Sequence, residues 1–564
     1  MKKETIGFML GLFVLFGGYV AVQNYYIQQQ MNATTTADQG VVGSSTQNLA
    51  NNDAASGIPK QKPLELGASA AEQPPQPLKV ANLDDLFIKS DRIDLAFTPT
   101  GGCISDNLML GEKIAYNDST PVSVIENHNI CKAYGFRLRA KNVIDLRNQP
   151  AGIMKTTDGA IKIVQRSNGL EITRIFKFSP DRYDGDLQII VKNISQQFQN
   201  TSVDFEIGAT SDNRNHGSGM FSAVPPQYHS VAVRLPDGTV NRKTTPFEEK
   251  ASYELLLSES SSFFSWMTAD SLYWMNTVIP LTQTPIGFEA LRTDYNLRKD
   301  LHSAIDQTMY EAWVKQPVNL SPGQATEFNY KIYIGPKNET ILKNYDQYHL
   351  SETIDYGFLK IIARPMYHLM SFIHSIVANW GTAIIILTIM LNILFLPLNI
   401  KAFASGQKMQ KLQPEMKAIQ EKYKDDKQMA SREMMALMAK GGANPLGGCL
   451  PLLPQIPVFF ALDSCFRHTF ELRQAPFYFW IKDLTQHDPY FLLPVLMAAL
   501  MIASQKMMPM PSMDPTQAKM MKIIPIVFSV LMIFYPSGLA LYIITNTLLS
   551  IIRQVFLTRY YKKA

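Results

Sequence analysis

The apolar positions of this chain are sharply segregated. Ile6–Val22 is one apolar run behind Lys2 and Lys3, and residues 28–80 show almost no hydrophobic periodicity. Residues 81–345 carry short alternating runs, and long apolar stretches return after Tyr356. The first run has Tyr19 two places before Ala21, where a cleavage site needs small residues, so it predicts an uncleaved signal anchor over 1–27. The Gln-, Asn-, Ser-, Thr- and Pro-rich stretch 28–80 cannot bury enough apolar surface to offset its ordering entropy, and predicts a flexible periplasmic tether.

Over 81–345 the period is two. In "IKIVQRSNGLEITRIFKFS" two alternating runs flank Ser167-Asn168-Gly169, a hairpin signal. "DLQIIVKNIS" and "TEFNYKIYIGP" continue in the same style, and the whole stretch predicts one large β-sandwich. Residues 354–377 place apolar side chains at helical spacing among Lys360, Arg364, His368 and His374. That mixture predicts a helix lying in the membrane interface.

A bilayer core of about 30 Å takes roughly 20 helical residues. Spans are expected at 378–400, 446–466, 490–508, 522–536 and 538–556, the fourth of these short. The second contains "NPLGGCLPLLPQIPVFFAL", in which four prolines and Gly447-Gly448 interrupt the apolar run and Gln455 sits in the middle. Together with the anchor these make a polytopic α-helical membrane protein of six transmembrane helices, with the β-sandwich inserted after the first.

Charge sets the orientation. Residues 401–440 hold nine Lys/Arg against five Asp/Glu, and Lys519, Arg559, Lys562 and Lys563 lie on the same side. The positive-inside rule places these segments, the 509–521 loop, the 557–564 tail and both termini in the cytoplasm. The β-domain and the 467–489 loop then face the periplasm. Residues 401–440 read as an amphipathic pair of helices broken at Asp425-Asp426, with Pro414 opening a fresh turn. Met434, Leu437 and Met438 line one face, a soft surface suited to receiving apolar segments. A net charge of +5 over 564 residues, without a basic patch interleaved with aromatics, gives no case for nucleic-acid binding.

The polar residues within the spans carry the functional signal. Thr388 and Asn392 share a helix face, as do Tyr542, Asn546 and Ser550, with Thr545 alongside and Gln455 on a third span. For a single hydroxyl, glue between neighbouring helices is the better account. Three helices that each carry an amide or polar stripe at mid-depth favour a shared wet cavity. No HExxH, GxSxG or P-loop pattern occurs and His368 and His374 fall on different helix faces, so no enzyme, metal or cofactor is expected. A polar-pore channel or small-solute transporter is the alternative, although the half-chain symmetry of many transporters is not apparent. Cys103 and Cys131 could pair if exported, a point left open by sequence.

"NPLGGCLPLLPQIPVFFAL", "ELRQAPFYFWIKDL", "DPYFLLPVLM" and "PSGLALYIITN", in this order, resemble the YidC/Oxa1/Alb3 membrane protein insertases, and the anchor and exported β-domain resemble their Gram-negative form. The resemblance implies a monomeric insertase and chaperone with a five-helix core and a hydrophilic groove open to cytoplasm and lipid. Gln455 would face the groove, while Ile456 and Phe459 would form a client-contacting rim. Implied partners are nascent membrane proteins, membrane lipids, the Sec translocon (SecYEG and SecDF) and the ribosome. One departure matters. The family usually carries an arginine five residues before the proline closing span two; here that proline is Pro397 and the position holds Asn392, which implies that an acidic client tail finds no charge there.

Overall fold

The computed structural model describes residues 83–113, 121–124, 131, 133–139, 143–212, 230–244, 253–282, 286–297, 305–424, 426–441, 452–507 and 515–563. The expected anchor, the tether, residues 446–451 of the expected 446–466 span and most of the 509–521 loop's first half lie outside the described residues. The chain divides into two compact units. Residues 356–464 and 488–564 belong to one, and residues 62–355 and 465–487 to the other.

The second unit is β-rich. A nine-stranded antiparallel sheet runs in the order Val240–Thr244, Ser230–Arg234, Trp266–Asp270, Trp274–Pro280, Ala325–Pro336, Asp184–Asn193, Leu170–Phe178, Ile161–Ser167, Gly152–Lys155. A six-stranded sheet of Tyr253–Ser262, Ile286–Leu297, Ile305–Leu320, Gln199–Asp212, Phe136–Arg139 and Val143–Asp145 meets it. A four-stranded sheet spans Phe87 to Ser123. The predicted hairpin is present: Ser167 pairs with Leu170, and Asn168 and Gly169 take φ of 49° and 76°. Positive φ at both central turn residues matches the right-handed twist of the flanking strands.

Alternation buries one face of most strands between the two large sheets, while Trp266–Asp270 and Trp274–Ile279 are buried on both faces. Phe205 meets Tyr330 edge-on at 5.0 Å, and the Tyr330 hydroxyl donates to Gln316 at 2.7 Å. The core also contains a charge. Arg174 is fully buried and donates to the carbonyls of Gly101 and Gly102 at 3.2 and 2.8 Å, to Gln165, and lies 4.6 Å from the Phe136 ring. Burial pushes its pKa down to about 9, which leaves it charged at neutral pH. Gly102 has φ of 55°, and a Cβ there would stand 2.7 Å from the guanidinium. Elsewhere in the same unit, Asp270 takes Arg242 at 2.8 Å and Lys337 at 2.6 Å. Burial alone would raise the Asp270 pKa, but the two cations hold it below the usual carboxylate value.

Cys103 and Cys131 form a disulfide, with Cα atoms 5.5 Å apart. Closing a loop of this length removes roughly 3–4 kcal/mol of chain entropy from the unfolded state. Reduction should therefore lower the stability of the β-rich unit by an amount of that order, read as a shift of its melting midpoint in dithiothreitol. An unshifted midpoint would show that the bond is not formed in solution.

The loop expected at 467–489 is packed. Phe470 sits edge-on to Trp274 at 5.2 Å, Arg473 pairs with Glu112 at 3.5 Å, and Gln474 donates to the Lys113 carbonyl at 2.8 Å. Its aromatic and apolar content is explained by this burial, for Phe470, Leu472, Ile481 and Leu484 are all buried.

The other unit is helical: α1 (Lys360–Val377), α2 (Trp380–Leu394), α3 (Leu396–Lys411), α4 (Gln413–Lys422), α5 (Lys427–Lys440), α6 (Leu452–His468, its last residues within the β-rich unit), α7 (Leu492–Met507), α8 (Pro515–Leu531) and α9 (Ser537–Lys563). The α1 helix buries Met366, Tyr367, Met370 and Ile373 and exposes Ile361, Phe372 and Ile376. Asn379 caps α2 by accepting from the Thr382 amide at 2.9 Å.

Three boundaries differ from expectation. The 378–400 span is bent by 59° between α2 and α3, because Pro397 has no N–H and its ring crowds the preceding turn. In the 401–440 stretch the fresh turn expected at Pro414 is present, but the helix before it, α3, begins at Leu396 rather than after residue 400. The tail is not a separate segment, since α9 continues through Lys563. Among the described residues, Ser537–Tyr560 is long and apolar enough to cross a membrane, and the bent α2–α3 pair passes the same test together. Leu492–Met507 and Ile523–Phe534 are shorter apolar helices.

Candidate functional site: a polar column among apolar helices

The helical unit turns apolar side chains outward where a soluble protein would not. Ile393 and Leu394 on α2, Val495 on α7, Val530 on α8 and Phe556 on α9 are each more than half exposed. Large apolar side chains exposed on four helices need a non-aqueous neighbour.

The polar groups run along the inner side of α9. Tyr542, Asn546, Ser550 and Arg553 follow at spacings of four, four and three and so share a face. At 1.5 Å per residue they extend about 16 Å, roughly half the thickness of a hydrocarbon core. Gln455 of α6 donates to the Tyr542 hydroxyl. Asn392 of α2 donates to Asn546 at 2.9 Å and to the Thr388 carbonyl at 2.9 Å. The Asn392 carbonyl oxygen in turn accepts from Arg553 at 3.2 Å, and the same guanidinium donates to Ser550 at 3.1 Å. Three helices thus meet through two amide contacts and a guanidinium.

Of the residues singled out by sequence, Asn392, Gln455, Tyr542 and Asn546 come together. Thr388 and Thr545 stand beside them but their hydroxyls are used locally, donating to Ile384 at 2.7 Å and Leu541 at 2.8 Å. Such bonds within one helix satisfy a hydroxyl without a groove. Ile456 and Phe459 are half-buried, and Phe459 lies 6.4 Å from Phe528 of α8. Met434, Leu437 and Met438 are half-buried as α5 packs on α4, with Gln420 contacting the Met434 sulfur at 3.8 Å. The most exposed methionine of that hairpin is Met435, at 58%.

Sequence reasoning missed Arg553. Its signal was present, because it continues the α9 face one turn beyond Ser550. The guanidinium stands at the tip of the Asn392 side chain.

A helical unit with outward apolar faces and an inward polar column, joined to a β-sandwich, defines a membrane protein with a large extramembrane domain. Residues 86–369 match the YidC periplasmic domain and residues 372–564 the 60Kd inner membrane protein. A membrane protein insertase YidC of Francisella tularensis subsp. novicida is 32% identical over 83% of each chain. One of Nitrosococcus oceani is 36% identical over 70% of this chain and 68% of its own. A crystal structure of an active YidC insertase with its first transmembrane domain resolved aligns with 84% of this chain and 92% of that one, at 17% identity and a TM-score of 0.36. The chain belongs to the YidC family.

Proposed function

We propose that this protein inserts and folds integral membrane proteins in the inner membrane, with six spans, both termini cytoplasmic and the β-rich unit periplasmic. The observation that carries the proposal is the polar column of α9, joined to Gln455 and Asn392 among helices that are apolar outside. A polar client segment crossing lipid unaided loses its hydrogen bonds to water. Amides and water along part of the path shorten that crossing and lower its barrier. The client's apolar helix supplies the driving free energy on reaching lipid, so no nucleotide is needed. Ile456 and Phe459 form an apolar rim beside the column, and α4–α5 receives clients first. The Sec translocon and the ribosome are the partners this role implies.

Order of contact tests the role. A photo-crosslinker at Met435 should capture a nascent apolar segment before one at Phe459 does, and one at Asn546 should capture the polar tail. Capture at Phe459 first, or at neither membrane position, would contradict the proposal.

A further inference from the structure

The 467–489 loop that joins α6 to α7 has a structure of its own. Its base is tied to the β-rich unit. Phe470 packs on Tyr273 and Trp274, Arg473 pairs with Glu112, and Gln474 donates to the Lys113 carbonyl. Two backbone bonds then close a finger. The Leu484 N–H donates to the Ala475 carbonyl at 3.2 Å, and the Phe477 N–H to the Ile481 carbonyl at 3.0 Å. Ala475, Ile481 and Leu484 are buried at its foot.

The tip does the opposite. Pro476–Trp480 is uncharged and contains four consecutive aromatic residues, with exposed Lys482 just behind them. Tyr478 is more than half exposed, and Phe479, at 85%, is the most exposed large apolar side chain among the described residues. Phe479 also holds a φ of 63°, a conformation that an aromatic residue keeps only where its surroundings over-determine it. The finger presents these rings instead of hiding them. A stable protein interface takes roughly 20–30 residues a side, far more than this tip offers. Tyr and Trp combine an apolar body with a polar tip, the chemistry of the boundary between water and hydrocarbon, and a neighbouring lysine extends from there towards lipid phosphates. The chain that follows agrees. It enters α7 through exposed Tyr490, Phe491 and Leu492 and runs on into exposed Val495 and Leu496, part of the outward apolar surface that needs a non-aqueous neighbour.

We infer that Pro476–Trp480 is a membrane-interface finger, whose rings seat in the headgroup region of the outer-leaflet phospholipids. The inference rests on the membrane placement proposed above and is independent of the insertase activity. It holds the α6–α7 connection at headgroup level. It also gives the β-rich unit, which grips the base of the finger, a lipid contact of its own.

The test places the photo-crosslinker benzoylphenylalanine singly at Phe479, Val495 and Phe198 of the full-length protein. Each variant is irradiated in vesicles of phosphatidylethanolamine and phosphatidylglycerol, with and without a single-span client, and lipid adducts are counted by mass spectrometry. The crosslinker keeps an aromatic ring at 479, so the finger is preserved. Phe198 is the control, because it is 60% exposed in the same β-rich unit but at the other end of the strands. Trp274 stands beside Pro336 at one end of Ala325–Pro336, and Lys192, shortly before Phe198, stands beside Ala325 at the other. Lipid adducts at Phe479 should exceed those at Phe198 at least about tenfold, the ratio implied by removing one phenylalanine ring from water. Equal adducts at Phe479 and Phe198 would overturn the inference. So would capture of the client in place of lipid at Phe479, which would make the finger a client contact. Either result, with Val495 labelled by lipid, leaves the membrane placement intact. Absence of lipid adducts at Val495 would defeat that placement itself.

Discussion

Asn392→Leu should slow insertion by about tenfold to a hundredfold, most for clients with the most polar translocated tail, while the helical unit still folds. One amide contact between membrane helices is worth roughly 1 kcal/mol, which alone would give only partial loss. Asn392 does more than one amide's work, since it donates to Asn546 and accepts from Arg553. Leucine removes both partners at once and leaves a cation beside an apolar side chain, which brings the total cost to about 1.5–3 kcal/mol. Asn392→Asp is the informative companion. It supplies a fixed carboxylate to Arg553 and should keep the helices together, so most of the insertion activity should survive. Insertion rates over a series of tails of increasing charge check both. Equal activity of the leucine variant across that series would show Asn392 to be simple helix glue.

Arg174→Leu should destabilise the β-rich unit by roughly 3–5 kcal/mol, the range for breaking a buried charged network. The lost side chain satisfies the carbonyls of Gly101 and Gly102 and the Gln165 amide oxygen together. Leucine fills part of the volume but leaves these acceptors buried without donors. The segment it pins leads directly into Cys103, so the disulfide loop loosens with it. Limited proteolysis and the melting midpoint read the effect. A midpoint unchanged by the substitution would mean that water replaces the guanidinium.

How much was legible depended on whether the information was local. The Ile161–Phe178 hairpin was legible because alternation and Asn168-Gly169 specify the strands and the turn within one stretch. The pairing of Phe136–Arg139 with Gln199–Asp212 was not, because strand order over such separations is decided by packing. Pro397 and Pro414 announced the breaks flanking α3, but the position of a proline alone does not give the 59° angle between α2 and α3. Met434 was chosen for its helical face, whereas the fold turns that face partly onto α4 and leaves Met435 outward. The polar column could be read as far as Ser550 from its spacing of four. Arg553 steps off that spacing, and its meaning comes from Asn392, 161 residues away. The content of "ELRQAPFYFWIKDL" read as a family motif, and its packing on Trp274 and Glu112 gives it a physical reason.

The central claim is that the polar column serves the transfer of protein segments. Purified full-length protein in liposomes, given a one- or two-span client, should protect the translocated tail from added protease without nucleotide, while a small polar solute trapped inside is retained. Release of the solute with no protected tail would contradict the claim and identify the column as a pore.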